Sequence, residues 1–310
     1  MNTHPFDIPV YPSYDTIQPM YPLHNDQSKQ PIQPIQPIQP DVEQLEEMRL
    51  AAYKEICDRH EINPTFASKM RILEGFKIVI VCDDSGSMNE IANSGFTGNN
   101  PYGKKPTRWD ELKITVGMII DIAATLSPNG VDIYFLNRDG LLNVTNRDQI
   151  KQFFVNKPTG GTPIVATLRK IYNHKIDHKR LVVLATDGCP TNSAGNSDIA
   201  SFKNVLRNER GSRDYMTIIA CTDDDSTMAY LNNWDKRIPR LDVVDDYGNE
   251  KHEILNVQGH NFPFSYGDYV VKCLLGSIDP WFDSLDEVRI GSYNSNKNGE
   301  HNHGCRCQLF

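Results

Sequence analysis

The sequence lacks the features of a membrane-spanning, secreted or nucleic-acid-binding protein. It has no apolar run near the ~18 residues that a membrane span needs. Its first residues lack the basic and apolar segments of a signal peptide. The net charge is −8 and the pI is about 5.6, so no overall basic field attracts nucleic acid. We therefore expect a cytoplasmic protein that does not bind nucleic acid.

Neither a zinc site nor a familiar catalytic motif is evident in the sequence. Seven cysteines are scattered over 310 residues without the spacing of a zinc site, which favours a reducing compartment. The sequence contains no G-x-x-x-x-G-K-[ST] phosphate loop, no G-x-G-x-x-G turn and no His-Glu-x-x-His run. These absences lead us to expect that the protein is not an enzyme.

The strongest feature that is present lies in residues 77–88, KIVIVCDDSGSM. The uninterrupted apolar run at 78–82 predicts a strand that is buried on both faces of a parallel sheet. Asp83, Ser85 and Ser87 follow it, alternating along a turn in which Gly86 tolerates unusual backbone angles. Since ligands of open α/β sheets bind at the carboxyl ends of strands, we expect a binding site here.

Two later stretches supply similar oxygen atoms. The sequence Gly160-Gly161-Thr162-Pro163 places a hydroxyl on a glycine-rich loop, and a second buried strand at 181–186 ends at the carboxylate of Asp187. Carboxylate and hydroxyl oxygens are hard ligands, suited to Mg²⁺ or Mn²⁺ rather than to metals that prefer thiolates.

In this order, Asp-x-Ser-x-Ser, a Gly-Gly-Thr-Pro loop and Asp-Gly after a later strand resemble the von Willebrand factor A (VWA) family over residues 74–290. The resemblance implies a metal-ion-dependent adhesion site that holds one ion with five side chains. The matching positions, none of them missing, are Asp83, Ser85, Ser87, Thr162 and Asp187. The resemblance also implies that the first and fourth strands are neighbours where the winding of the sheet reverses, so that Asp83 and Asp187 converge.

Strands alternate with helices through this region, which predicts an α/β fold with a doubly wound, mostly parallel sheet flanked by helices. The predicted strands are 78–82, 131–136, 141–145, 180–186, 215–221 and 241–244. The predicted helices are 41–60, 108–126, 148–155, 163–173, 198–209, 227–234 and 266–275, the last of which is expected to close the domain. Residues 89–107 are predicted to be a loop that hangs over the metal site.

Residues 1–40 form a proline-rich tail with nine of the 19 prolines, and Pro-x-x-Pro recurs between residues 9 and 40. This spacing places successive prolines on one face of a polyproline II helix. A docking segment for a proline-reading domain is one interpretation. A disordered spacer is the other, and we favour it.

Residues 41–73 are predicted to be a helix and a linker. The helix carries an apolar stripe at spacings of three and four residues, made of Val42, Leu45, Met48, Ala52 and Ile56. We expect this stripe to pack against the domain that follows. A helix that binds a partner is the alternative.

Residues 291–310 form a polar tail that is predicted to be disordered. Its last residues, from Cys307 to Phe310, fit a C-terminal prenylation box of the geranylgeranyl type. Because one lipid chain anchors a protein only marginally, Cys305 is the expected place for a second. We therefore expect peripheral attachment to a cytoplasmic membrane face, with two unmodified cysteines as the alternative.

The function that this pattern favours is metal-dependent protein binding. An ion held by three neutral hydroxyls and two carboxylates would attract an acidic residue of a partner protein. The alternative is a Mg²⁺-dependent hydrolase or phosphatase that uses Asp83 as an aspartyl nucleophile. A phosphatase-like Asp-x-Asp also occurs at Asp223 and Asp225, but it follows a late strand and we interpret it as chance.

Overall fold

Two neighbouring parallel strands form the centre of the sheet. The computed structural model describes residues 42–92, 105–127, 129–222, 224–231 and 234–290. Its strands are β1 (Phe76–Cys82), β2 (Val131–Phe135), β3 (Leu141–Val144), β4 (Lys179–Thr186), β5 (Asp214–Ala220) and β6 (Leu241–Val244). Their order is β3-β2-β1-β4-β5-β6, and only β3 runs antiparallel to its neighbour. This confirms the predicted α/β fold with a doubly wound, mostly parallel sheet.

Alternate residues of the central strands face two different cores. Ile78 and Ile80 of β1 belong to one hydrophobic cluster, whereas Val79 and Val81 belong to the other. The side chains of a strand point alternately to the two faces of its sheet, so a strand covered on both sides needs apolar residues at every position. The apolar run of β1 is explained by this double burial.

Helices cover both faces of the sheet. They are α1 (Val42–Arg59), α2 (Pro64–Met70), α3 (Arg108–Leu126), α4 (Ile164–Asn173), α5 (Ile199–Asn204), α6 (Asp225–Met228), α7 (Tyr247–Gln258), α8 (Tyr266–Leu275) and α9 (Pro280–Asp283). The 3₁₀ segments are Arg71–Leu73, Gly86–Asn89, Arg147–Phe154 and Ala229–Leu231, and a π-helical turn at Val205–Glu209 continues α5. One core includes side chains of α2, α3, α7 and α8, and the other includes side chains of α4 and α5.

The sequence patterns do not predict α2, α7 and α9. Helix α7 is polar and buries few side chains, among them Ile254, so its apolar periodicity is weak. The prediction that the helix at 266–275 closes the domain is wrong, because the chain continues into α9 and buries Phe282 there. A four-residue helix that begins at Pro280 is too short to show periodicity.

The prediction that the apolar stripe of α1 packs against the domain is correct only near the end of the helix. Ile56 is 8% exposed, whereas Leu45 is 48% and Met48 is 64% exposed. Ala52 is exposed as well. Contacts with the domain occur in the second half of α1, where the Tyr53 hydroxyl donates to the backbone of α2. In the first half, Leu45 and Met48 stay exposed, although Arg49 pairs with Glu74.

A buried cluster of charged side chains is formed by Asp242 of β6, Glu250 of α7 and Lys272 of α8. Lys272 is 2% exposed, and its Nζ lies 2.7 Å from Glu250 Oε1 and 3.4 Å from Asp286 Oδ2. Asp242 is also buried, and its Oδ2 has no hydrogen-bond partner within the described residues. Burial raises the pKa of Asp242 to about 6, although the Lys272 charge acts in the opposite direction.

This raised pKa predicts how stability depends on pH. The folded protein binds the Asp242 proton more tightly than the unfolded chain does, so this group lowers the free energy of unfolding as the pH rises from about 4 to about 6. Asp242→Asn removes the titration. The free energy of unfolding of the variant, relative to that of the wild type, should therefore rise by up to ~3 kcal/mol from acidic to neutral pH.

Urea denaturation in EDTA at several pH values measures this difference, and EDTA keeps metal binding from contributing. Asp177→Asn, at an exposed aspartate, is the matched control and should follow the wild type. A difference between Asp242→Asn and the wild type that does not change with pH would contradict the assignment.

Candidate metal centre

Asp83 is held where β1 ends. Its backbone N–H donates to Ala185 O of the neighbouring strand at 2.9 Å. Its carboxylate accepts hydrogen bonds from Ser85 N at 2.9 Å and from Thr186 Oγ1 at 2.5 Å. The residue is fully buried. The pairing of β1 with β4 therefore fixes both the position and the orientation of this carboxylate.

The two serines link the end of β1 to the end of β4. Ser85 precedes the 3₁₀ segment Gly86–Asn89, which contains Ser87, and the two hydroxyl oxygens lie 3.1 Å apart. Ser87 Oγ donates to Asp187 Oδ1 at 2.7 Å. A continuous row of hard oxygens thus joins side chains that are 100 residues apart in the sequence.

Thr162 lies on a loop that is tied to the serine turn through the backbone. Gly86 N donates to Gly160 O at 3.2 Å, and Thr159 N donates to Asp84 O at 2.8 Å. Gly160 has a φ of +104°, and an added Cβ there would lie 2.5 Å from Asn137 Oδ1, so glycine is required. Thr162 itself is 7% exposed. The loop is therefore held against the segment that carries Ser85 and Ser87.

Arg108 contacts the site, although it belongs to none of the sequence motifs that predict the site. Its Nη1 lies 2.9 Å from Asp187 Oδ2 and 2.9 Å from Glu90 Oε2, and its Nη2 donates to Thr222 Oγ1 at 3.0 Å. Arg108 is the first residue of α3. A cation in the first turn opposes the helix dipole, so an arginine at this place was a signal of an acidic neighbour.

A second arginine holds the neighbouring aspartate. Asp84 is fully buried and accepts from Arg138 Nε at 2.6 Å and from Asn137 N at 2.8 Å. Arg138 Nη1 also donates to Phe153 O at 2.8 Å, and its guanidinium lies over the ring of Trp109. Removing one member of a buried ion pair leaves an uncompensated charge, which is strongly destabilising. Asp84 therefore anchors the surrounding loops.

The charges of the site favour a bound cation. Within the described residues, Asp187 pairs with Arg108 and Asp84 pairs with Arg138, but no ion pair involves Asp83. Burial raises the pKa of Asp83 to about 6, against hydrogen bonds from Thr186 and Ser85, and the Asp187 charge adds to the rise. A buried carboxylate without a basic partner beside several hydroxyl oxygens is a donor set that fits Mg²⁺ or Mn²⁺.

Groups of three or more His, Cys, Asp and Glu side chains arranged for a metal do not occur in the described part of the chain. The candidate centre has only two carboxylates and owes its other oxygens to hydroxyl groups, so it is not such a group. The five predicted ligands thus stay a prediction.

Other predicted sites fall outside the described residues. They are the proline-rich tail at 1–40, most of the loop at 89–107 including Lys104, the side chains of Asp223 and Asp225, and the two candidate lipidation residues Cys305 and Cys307. Every helix in the described ranges is too short or too polar to cross a membrane. Lipid attachment and a cytoplasmic location stay predictions.

Comparisons with known proteins find distant likeness in structure only. No protein-family model matches the chain, and no curated protein matches it. A solved structure that does match is an aerotolerance-related membrane protein from Bacteroides fragilis, in a form with multiple mutations to serines. The match has 16% sequence identity and a TM-score of 0.31, and it covers 47% of this chain and 67% of that chain. A likeness this distant carries no argument about the site, and membership of the VWA family stays a prediction.

We predict that Asp83→Ala abolishes Mg²⁺ binding. The substitution removes a buried carboxylate that orients Ser85 and that lies beside the other predicted ligands. Isothermal titration calorimetry with Mg²⁺ and with Mn²⁺ measures the effect. Asp177→Ala, at an exposed aspartate, is the matched control and should bind like the wild type. Equal heats of Mg²⁺ binding for the wild type and Asp83→Ala would contradict the assignment of Asp83 to the metal centre.

Proposed function

We propose that this protein is a metal-dependent protein-binding module of the VWA type. Mg²⁺ or Mn²⁺ would bind at Asp83, Ser85, Ser87, Thr162 and Asp187, either directly or through water at the two carboxylates. When bound, the ion supplies a positive charge with an open coordination position, which an acidic side chain of a partner protein fills.

The observation that carries this proposal is the row of oxygens that joins the ends of β1 and β4. Ser87 Oγ donates to Asp187 Oδ1 at 2.7 Å, and Ser85 Oγ lies 3.1 Å from Ser87 Oγ. Hydroxyls bring no negative charge and Arg108 already pairs with Asp187, so the two carboxylates neutralise an ion at this place only partly. The remaining charge favours an acidic ligand.

Among the described residues, several that surround the row are exposed. Gly86, Gly160 and Gly161 are exposed, and Ser87 is partly exposed. Glycines have no side chains to block an approaching segment, so an acidic residue on a loop or an extended peptide can reach the centre. Lys105 is also exposed, three residues before Arg108, which contacts Asp187.

The alternative of an aspartyl nucleophile finds less support. Both carboxylate oxygens of Asp83 accept hydrogen bonds, and the residue is fully buried. A nucleophile needs an oxygen that the substrate can reach. Asp84 is likewise buried and is engaged by Arg138. We therefore prefer binding over hydrolysis for this site.

We predict that the protein captures acidic peptides only when a divalent ion is present. On an array of synthetic peptides, capture in Mg²⁺ should select sequences with Asp or Glu, because a carboxylate completes the coordination of the ion. Capture should disappear in EDTA, return when Mg²⁺ is restored, and be absent with Asp83→Ala.

Asp177→Ala serves again as the control and should select the same peptides as the wild type. Capture that persists in EDTA would mean that binding does not depend on the ion, and the proposal would fail. Capture that does not discriminate between Glu and Gln would contradict the acidic partner.

A further inference from the structure

Glu90 and Arg108 face each other across the stem of a loop. Ile91 and Thr107 form an antiparallel bridge, Ala92 N donates to Pro106 O at 3.0 Å, and Arg108 N donates to Glu90 O at 2.9 Å. The backbone of Glu90 is therefore fixed beside Arg108. The Glu90 side chain, in contrast, is 63% exposed and can turn away without any change in this backbone.

The Arg108 guanidinium contacts both the candidate metal centre and Glu90. Its Nη2 donates to buried Thr222 at 3.0 Å, and its Nη1 lies 2.9 Å from Asp187 Oδ2. The same Nη1 lies 2.9 Å from Glu90 Oε2. The contacts with Asp187 and Thr222 hold the guanidinium in place. Glu90 is the exposed partner, so its contact is the one that an incoming group can replace.

An exposed ion pair of this kind is weak. Such pairs contribute about 0.2–1 kcal/mol, because water and salt screen them. A carboxylate of a bound partner would be shielded from water at the same guanidinium, where a charge-assisted hydrogen bond is stronger. Exchange of Glu90 for a partner's carboxylate is therefore favourable once the partner is held at the metal centre.

We propose that Arg108 is a second anion-binding group beside the candidate metal centre. The recognised segment then carries two neighbouring acidic side chains, one for the ion and one for Arg108. Glu90 occupies Arg108 until that segment binds. This inference rests on the proposed function, and it specifies which acidic partners the site prefers.

Synthetic peptides test it directly. One peptide has a single Glu in a Gly-Ser background, and a panel has two Glu residues at varied spacing. Affinities are measured in Mg²⁺ by fluorescence anisotropy. Two acids offer two ways to reach the ion, so statistics alone give a factor of about two. The best two-Glu peptide should bind about tenfold or more tightly than the one-Glu peptide, because it adds a charge-assisted contact.

Two variants separate the roles. Arg108→Gln should reduce the advantage of the second Glu to the statistical factor of about two. Calorimetry shows whether this variant still binds Mg²⁺, which a general loss of structure would abolish. Glu90→Gln removes the competing carboxylate and should strengthen binding of the two-Glu peptide about two- to fivefold. Glu287→Gln, at another exposed ion pair, removes the same charge and should change nothing.

The outcomes distinguish this inference from the function on which it rests. If the one-Glu peptide binds in a Mg²⁺-dependent way but a second Glu adds no more than the statistical factor, only the inference fails. An unchanged affinity in Glu90→Gln also overturns the inference, and this test remains if Arg108→Gln does not fold. If none of the peptides binds in a Mg²⁺-dependent way, the proposed function fails and the inference fails with it.

Discussion

The parallel pairing of β1 with β4 is the interaction on which the candidate site depends. In this register Cys82 lies beside Ala185, so the residues that follow each strand emerge at the same edge of the sheet. The hydrogen bond from Asp83 N to Ala185 O continues the pairing past the end of β1. Ser87 and Asp187 then meet at hydrogen-bond distance. A shift in this register would separate the oxygens, whatever the local conformation of the serine turn.

Buried charge sets the second constraint. Buried carboxylates next to the sheet are compensated by cations from distant parts of the chain: Asp187 by Arg108, Asp84 by Arg138, Asp214 by Arg180. Each pair ties a strand to another element, and losing one member would leave a charge that water cannot reach. Asp83 departs from this pattern among the described residues, because its oxygens accept hydrogen bonds from Ser85 and Thr186 and its pKa is raised to about 6. A divalent ion would provide the missing compensation.

Much of the fold follows from local patterns, whereas the surroundings of the site do not. The apolar runs of β1 and β4 predict buried strands, and their ends predict where Asp83 and Asp187 lie. The roles of Arg108 and Arg138 depend on contacts 79 and 54 residues away, which no local periodicity encodes. The apolar stripe of α1 predicts a helix correctly, but it does not show that Met48 stays exposed while Ile56 is buried. Whether an amphipathic face is covered is a property of the tertiary structure.

The central claim is that the oxygens at the ends of β1 and β4 hold a divalent ion. Anomalous scattering at the manganese edge, from crystals grown with Mn²⁺, tests it most directly. The account predicts one strong peak at about 2.0–2.3 Å from the hydroxyl oxygens of Ser85, Ser87 and Thr162, with Asp83 and Asp187 bound directly or through water. A strong peak at other residues, or a well-ordered site without one, would contradict it.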